Sequence, residues 1–287
     1  MKRGIDNLKK LIHEHGFGDI EDELLKIARP SIRVQTTRFE DEGELAIGQS
    51  KLGGKPDLPK DIDWVVKQTK KGARRSLPFI GQINLADVAP HDVEKLLPTT
   101  GILYFFGDYP WNGVPESEQG AVIYYDGNMS NLERKLFPAD LSLEDKPYDR
   151  FVPCSVVFIH EVNMDGARLD DFIRTLPLSA GDFDVNQIYH LEEKTNYHGA
   201  RYVNRMLGVN YEVWIHDTMQ ECIKQEYHPN QQKEGDSQTN WQLLFQVDSD
   251  KNANMSWLDA GIACFYMRKK DLAERNFDNV CFTIFST

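Results

Sequence analysis

Three short boxes occur twice in this chain, in the same order, about 155 to 165 residues apart. Leu52-Gly53-Gly54 is answered by Leu207-Gly208-Val209, and Phe79-Ile80-Gly81-Gln82-Ile83-Asn84 by Leu243-Leu244-Phe245-Gln246-Val247-Asp248. Gly101-Ile102-Leu103-Tyr104-Phe105-Phe106 is answered by Gly261-Ile262-Ala263-Cys264-Phe265-Tyr266. One recurrence arises by chance; three in register predict a duplicated unit whose halves share a core about a pseudo-two-fold axis.

The chain has 287 residues, enough for one large domain or two small ones. At that size folding hides about three quarters of the surface of the open chain, so no disulfide or metal is needed for stability. The longest apolar runs are too short to cross a bilayer, and no apolar stretch follows the basic N-terminus, which predicts a soluble cytoplasmic protein without a signal peptide. A formal net charge of −12 argues against binding a nucleic-acid backbone and is compatible with a basic protein partner or with solubility alone. The basic stretch Lys67 to Arg75 has no aromatic to stack on a base and reads as a solvated loop tip. Cys154, Cys222, Cys264 and Cys281 form no Cys-x-x-Cys pair and read as buried reduced thiols.

Residues 5 to 29 carry apolar positions at helical spacing, split by Gly16 and Gly18 and ended by Pro30. From Ile32 the period changes to two, and strands are expected at 32–36, 45–47, 78–84, 101–106, 121–126, 151–162, 241–248, 261–268 and 279–285. Helices are expected at 85–97, 169–176, 183–194 and 270–275. This pattern predicts an α+β fold of mostly antiparallel sheet with an N-terminal helical segment at 1–29. Residues 30–287 then form a single domain of two half-repeats, about 30–150 and 151–287, with no Ser/Gly/Pro-rich linker between them.

The boxes Ser50 to Pro59, Gly81-Gln82-Ile83-Asn84-Leu85, Gly101 to Phe106, Gln246 to Asp250 and Asp259-Ala260-Gly261 together resemble the YwqG-like bacterial family, a domain of unknown function. The resemblance covers roughly residues 30 to 285. It implies a fold unit and no activity. Relatives typically carry glycine where this chain has Leu258.

Two constellations are candidates for chemistry. Gln82 with Asn84, and Gln246 with Asp248, each lie at i, i+2 and so on one face of a strand. If the halves meet at an axis, the pairs could form a ligand site there; the alternative is that each glutamine satisfies nearby backbone groups. The loop Asp248 to Asp259 places oxygen ligands at the EF-hand positions, with Asp248, Asp250, Asn252 and Asp259 as calcium candidates. Ala253 stands where that loop needs glycine, and an inter-strand loop of self-bonded Asp and Asn side chains is the alternative. Phosphate-loop, dinucleotide, nucleophile-elbow and zinc-helix signatures are missing or broken, and the histidines are scattered. Trp111, in a Gly/Pro loop, is a candidate partner-binding anchor, with a lid over the core as the bland reading.

The sequence therefore leads to a non-enzymatic protein-binding module, adaptor or immunity-like, with a basic partner. The rival is a small-ligand binder or enzyme with a polar site between the halves, with calcium as its one candidate cofactor. Neither nucleic acid nor membrane is expected as a partner.

Overall fold

In the computed structural model, residues 2–68, 72, 74–108, 120–140, 151–175, 184–197, 203–209, 222 and 240–285 are described. Apolar side chains at helical spacing begin the chain. Helix α1 spans Lys2–Glu14, a single 3-10 turn covers Gly18–Ile20, and α2 spans Glu21–Ile27. Gly16, at φ 80, supplies the left-handed turn between them. Leu8, Ile12 and Leu24 are buried in one cluster with Val162, Met164, Leu169, Ile188 and Leu191.

Strand β1 follows at once, Ala28–Arg38, and runs through Pro30. A proline is tolerated there because β1 is paired on its other side only from Ile32 to Val34, so no ladder bond is lost at residue 30. In the first half come β2 (Lys51–Leu52), β3 (Asp57–Pro59), β4 (Val66–Gln68), β5 (Arg74–Ser76), β6 (Phe79–Asn84), β7 (Ile102–Gly107), β8 (Gly120–Tyr125) and β9 (Leu132–Arg134). In the second come β10 (Cys154–Met164), β11 (Asn204–Met206), β12 (Trp241–Asp248), β13 (Ile262–Arg268) and β14 (Val280–Phe285). Helices α3 (Leu85–Val88), α4 (Gly166–Thr175), α5 (Val185–Tyr197) and α6 (Lys269–Ala273) interrupt them.

Two expected elements differ. The helix at 85–97 is a single turn, capped by the Asn84 side chain on Ala86 N–H and stopped at Pro90, which has no N–H to continue the ladder although Ala89 before it is still helical. The strand at 45–47 is a loop instead. Its backbone serves side chains: the Arg134 guanidinium takes Leu45 O at 2.9 Å, and Gln49 Oε1 takes Ala46 N–H at 3.2 Å. Local side-chain bonds of this kind compete with a ladder.

Ten strands join in one antiparallel sheet, ordered β14-β13-β12-β11-β1-β10-β2-β6-β7-β8. Its middle is the long β1–β10 pair, in register from Ala28↔Met164 to Arg38↔Cys154. Thus β10 lies against β2 of the first half, and β1 against β11 of the second. The sheet curls into a nearly closed barrel. The edge strands β8 and β14 meet at Phe282, against which a Cβ on Gly120 would stand 2.3 Å away. Each half also carries one register shift, between Phe79 and Gly81 against β7 and between Leu243 and Phe245 against β13. Such bulges bend a strand and raise its twist, which helps a sheet close.

The barrel interior is one apolar cluster drawn from both halves, including Leu52, Ile83, Phe105, Phe245, Phe265 and Phe282. Phe105 lies 4.8 Å from Phe245 and 5.1 Å from Phe265, ring centroid to centroid, so the halves touch directly. Leu258 occupies φ 50, the conformation glycine favours, so the turn after Trp257 keeps its left-handed geometry with a leucine in it. The four cysteines are not all thiols, as the sequence suggested. Cys222 and Cys281 form a disulfide across a separation of 59 residues, while Cys154 and Cys264 are buried thiols. Spacing in sequence could not reveal that pair, because folding alone brings residue 222 to β14.

Candidate functional site: buried cations on the outer face

Side chains alternate across a strand, so the neighbours of the interior residues point outward. In the first half Lys51 stands opposite Gln82, and Gln82 opposite Tyr104. In the second, Arg205 stands opposite Gln246, and Gln246 opposite Cys264. All six are buried beneath covering segments. Each half therefore holds a buried cation beside a buried glutamine.

Around Lys51 the charges balance. Its ammonium lies 3.1 Å from Glu42 and 3.4 Å from Asp57, and the Arg134 Nε donates to Asp57 at 2.8 Å. Asp57, itself fully enclosed, also accepts from Gly48 N–H at 3.0 Å and from Gln82 Nε2 at 2.8 Å. Gln82 Oε1 accepts Asp57 N–H, and the Tyr104 hydroxyl donates to Asp57 O at 2.6 Å. Burial pulls the Lys51 ammonium below its ordinary value, against the pull of Asp57 and Glu42. Burial, with the Asp57 charge, pushes the Tyr104 phenol far up. The glutamine and both carboxylates tie the 42–58 loop to the sheet.

Around Arg205 the partners differ. Its guanidinium donates to Asn196 O at 2.8 Å, Asn196 Oδ1 at 3.2 Å and Val209 O at 3.0 Å. Glu161, ion-paired to Arg33 at 2.8 Å, is raised by burial against the fields of Arg33 and Arg205. Helix α5 lies over this group: Asn163 Nδ2 donates to Thr195 O at 2.6 Å and Thr195 Oγ1 accepts Met164 N–H.

The sequence-predicted pairs fall into this picture separately. Four strands, β2, β10, β1 and β11, lie between β6 and β12, so Gln82/Asn84 and Gln246/Asp248 sit in different parts of the sheet. Gln82 Nε2 donates to Gln49 O and Asn84 Nδ2 to Gly48 O. Gln246 Nε2 donates to Val203 O, and Asp248 Oδ2 accepts Val203 N–H. Each pair thus holds the loop entering β2 or β11.

In the loop after β12 the carboxylates serve the chain. Asp248 accepts from Val203 and Ser249 N–H; Asp250 accepts from Thr36, Asn204 and Asn252. Burial raises the Asp248 carboxyl. Asn252 donates to Thr36, and Asp259 is exposed. A calcium site needs six or more oxygens converging; the Asp248 and Asp250 oxygens already accept from donors of the chain and Asp259 is exposed, so the donor set does not fit the ion. Among the described residues no three His, Cys, Asp or Glu side chains are grouped to hold a metal. Trp111 lies outside the described residues.

A niche of about 160 Å³, open to solvent, is lined by Pro30, Ser31, Ile32, His91 to Glu94 and Leu207. It falls below the volume range of ordinary small-molecule pockets.

The sequence reading missed Lys51, Asp57, Glu42, Arg134 and Arg205. Lys51 and Asp57 carried a signal, since both lie in the Ser50 to Pro59 box and flank the recurring Leu52-Gly53-Gly54. Arg205 was hidden by the matching of Leu52 with Leu207. The ladders instead pair Lys51 with Gln82 and Arg205 with Gln246, so Lys51-Leu52-Gly53-Gly54 corresponds to Arg205-Met206-Leu207-Gly208. Backbone angles agree: Gly53 and Gly54 lie at φ 65 and 69, Leu207 and Gly208 at φ 59 and 66.

A family model described as a domain of unknown function, DUF1963, matches residues 50–284, a span that contains both cation clusters' strands β2, β6, β11 and β12. The chain belongs to the DUF1963 family. No curated protein matches it. Among the described residues of this DUF1963 protein, no helix is long and apolar enough to cross a membrane.

Proposed function

We propose that this DUF1963 protein is a non-enzymatic binding module for a basic protein partner, of the YwqG-like kind. The observation that carries the reading is where the charges lie. Lys51 and Arg134 are matched inside by Glu42 and Asp57, so this cluster is neutral and the chain's net −12 is carried by other residues. A net negative charge of this size draws an opposite charge and disfavours phosphate backbones. The polar groups buried under the covering segments are spent on each other and on backbone, where a catalytic group would face a cleft.

The test is affinity capture from the source cell at low salt, with elution by 0.5 M NaCl and identification of what elutes. A basic protein that rebinds when purified, and binds at least tenfold more weakly at high salt, supports the module. Retention of acidic proteins only, or of a co-purifying small molecule, sinks it. The second reading, a small-ligand binder, rests on the niche between β1, the 91–94 loop and Leu207, where segments of both halves come together.

We also read the two halves as copies of one unit related by a pseudo-two-fold axis through the β1–β10 pair. Support comes from the matched bulges in β6 and β12 and from matched bonds. Gln82 Nε2 reaches Gln49 O at 2.9 Å, and Gln246 Nε2 reaches Val203 O at 3.0 Å. Asn84 N–H meets Ser50 Oγ at 2.8 Å, and Asp248 N–H meets Asn204 Oδ1 at 2.9 Å. A cytoplasmic location goes with this reading and is open to test through the Cys222–Cys281 bridge, since lasting disulfides are rare in that compartment.

A further inference from the structure

Helix α5 is held on the sheet by polar grips at its C-terminal end. Thr195 and Asn196, both about 1% exposed, carry its last carbonyls, which Asn163 and Arg205 satisfy. A guanidinium at a helix C-terminus also complements the helix dipole. Asn196 is the hinge of the arrangement: its Oδ1 accepts from Arg205, while its Nδ2 donates to Met164 O at 3.3 Å and to Glu192 Oε1 at 2.5 Å. Glu192 stands one turn earlier on the same helix. A Cβ on Gly166, the first residue of α4, would lie 3.5 Å from its Oε1. We propose that Glu192 is a proton-operated catch that sets how firmly α5 lies on the β10–β11 face.

The groups facing it come from three elements. Arg205 on β11 favours the ionised carboxylate; Asp170 on α4 and Glu193 on α5 itself oppose it. Asp170 is in turn held by the Tyr189 hydroxyl at 2.7 Å. Behind Arg205 stand Arg33 and Glu161, paired with each other, so Arg205 is already partly matched before Glu192 ionises. Burial is the largest influence and lifts the Glu192 carboxyl from its ordinary 4.5 to about 7. When α5 is docked Glu192 therefore holds its proton up to about pH 7; when α5 lifts off it releases it near its ordinary value. Docking takes up a proton between those limits. Acid tightens α5 and rising pH loosens it, by at most tenfold per pH unit before solvent screening reduces the effect.

Hydrogen exchange of the α5 amides on the whole chain tests this, corrected for intrinsic exchange and measured from pH 5.5 to 8. Wild type should lose protection in α5 at least fivefold more than in β13 across that range. Glu192→Gln, which keeps the size and the Asn196 contact, should flatten the difference. Equal slopes in wild type and E192Q overturn the proposal. Should E192Q fold poorly, carbon-detected NMR titration of the wild-type glutamates decides instead. A Glu192 midpoint near 7 upholds the catch, and one near 4.5 overturns it.

Discussion

Replacing Lys51 by methionine is the sharpest probe of what the first cluster contributes. The side chain is fully enclosed, with its ammonium between Glu42 at 3.1 Å and Asp57 at 3.4 Å. Methionine keeps nearly the same volume, so packing changes little and the effect is electrostatic. Without Lys51, two carboxylates face Arg134 alone, and one buried negative charge is uncompensated. Removing one member of a buried ion pair costs about 3–5 kcal/mol. That is a large share of the roughly 5–15 kcal/mol that holds a domain together. Urea unfolding followed by tryptophan fluorescence would read it as a lower midpoint at unchanged slope. The decisive comparison is K51M/D57N, which removes one charge of each sign and leaves Glu42 with Arg134. Neutrality returns, so the double variant should be more stable than K51M plus D57N summed, by about 2 kcal/mol or more. Strict additivity, or a K51M loss under about 1 kcal/mol, would refute the claim that charge balance holds this loop.

Four further outcomes follow from contacts already described. Gln82→Leu should cost about 2–4 kcal/mol, because Asp57 N–H, Asp57 Oδ2 and Gln49 O all lose a partner; equilibrium unfolding measures it, and a loss below about 1 kcal/mol contradicts the network. Reducing Cys222–Cys281, or making C222S, should lower stability by up to about 4 kcal/mol, the chain-entropy value for a loop of this length, read as a melting shift with and without reductant. Millimolar calcium should leave the melting temperature of wild type unmoved, whereas Asp250→Asn should destabilise equally with calcium or chelator; a calcium-dependent rise would restore the metal site. Burial lowers the His160 imidazole below its ordinary 6.5, so its share of stability is present above that value and lost as pH falls through it; H160Q should narrow the acid sensitivity of the melting curve between pH 6.5 and 5, and no change would show that His160 is solvated.

Much of the sheet was legible because its signal is local. Runs such as Phe79 to Asn84 and Ile262 to Arg268 alternate or stay apolar over six or seven residues, and each became the expected strand. The helices were harder where length decided the outcome. Lys270 to Arg275 gave the short α6, but the charged 85–97 stretch yielded one turn because Pro90 interrupts it. The loop at 45–47 reads as a strand by alternation, and only the distant Arg134, 89 residues on, shows why its backbone is engaged elsewhere. The same holds for the ion clusters. Lys51 and Asp57 are six residues apart, yet their balance needs Glu42 and Arg134, and no period in the sequence links those four.

Register explains why the boxes were visible while their meaning was not. Matching Leu52 to Leu207 aligns identical letters but places Lys51 against Met206, which points to the other face of the strand. A slip of one residue exchanges the inner and outer faces of a strand. The ladders align Lys51 with Arg205 instead, and the outward row then reads cation, glutamine, buried side chain in both halves. Under that alignment the inward partners become Leu52 and Met206, both fully buried in the shared interior. The recurrence is therefore one of physical role: a long cation lies along the outer face of a two- or three-residue strand and anchors whatever covers it. In one half the cover is a loop held by carboxylates; in the other it is a helix end held by carbonyls. The choice of lysine and arginine follows from those partners, since a point charge suits two carboxylates at differing angles and a planar fork suits several fixed carbonyl oxygens.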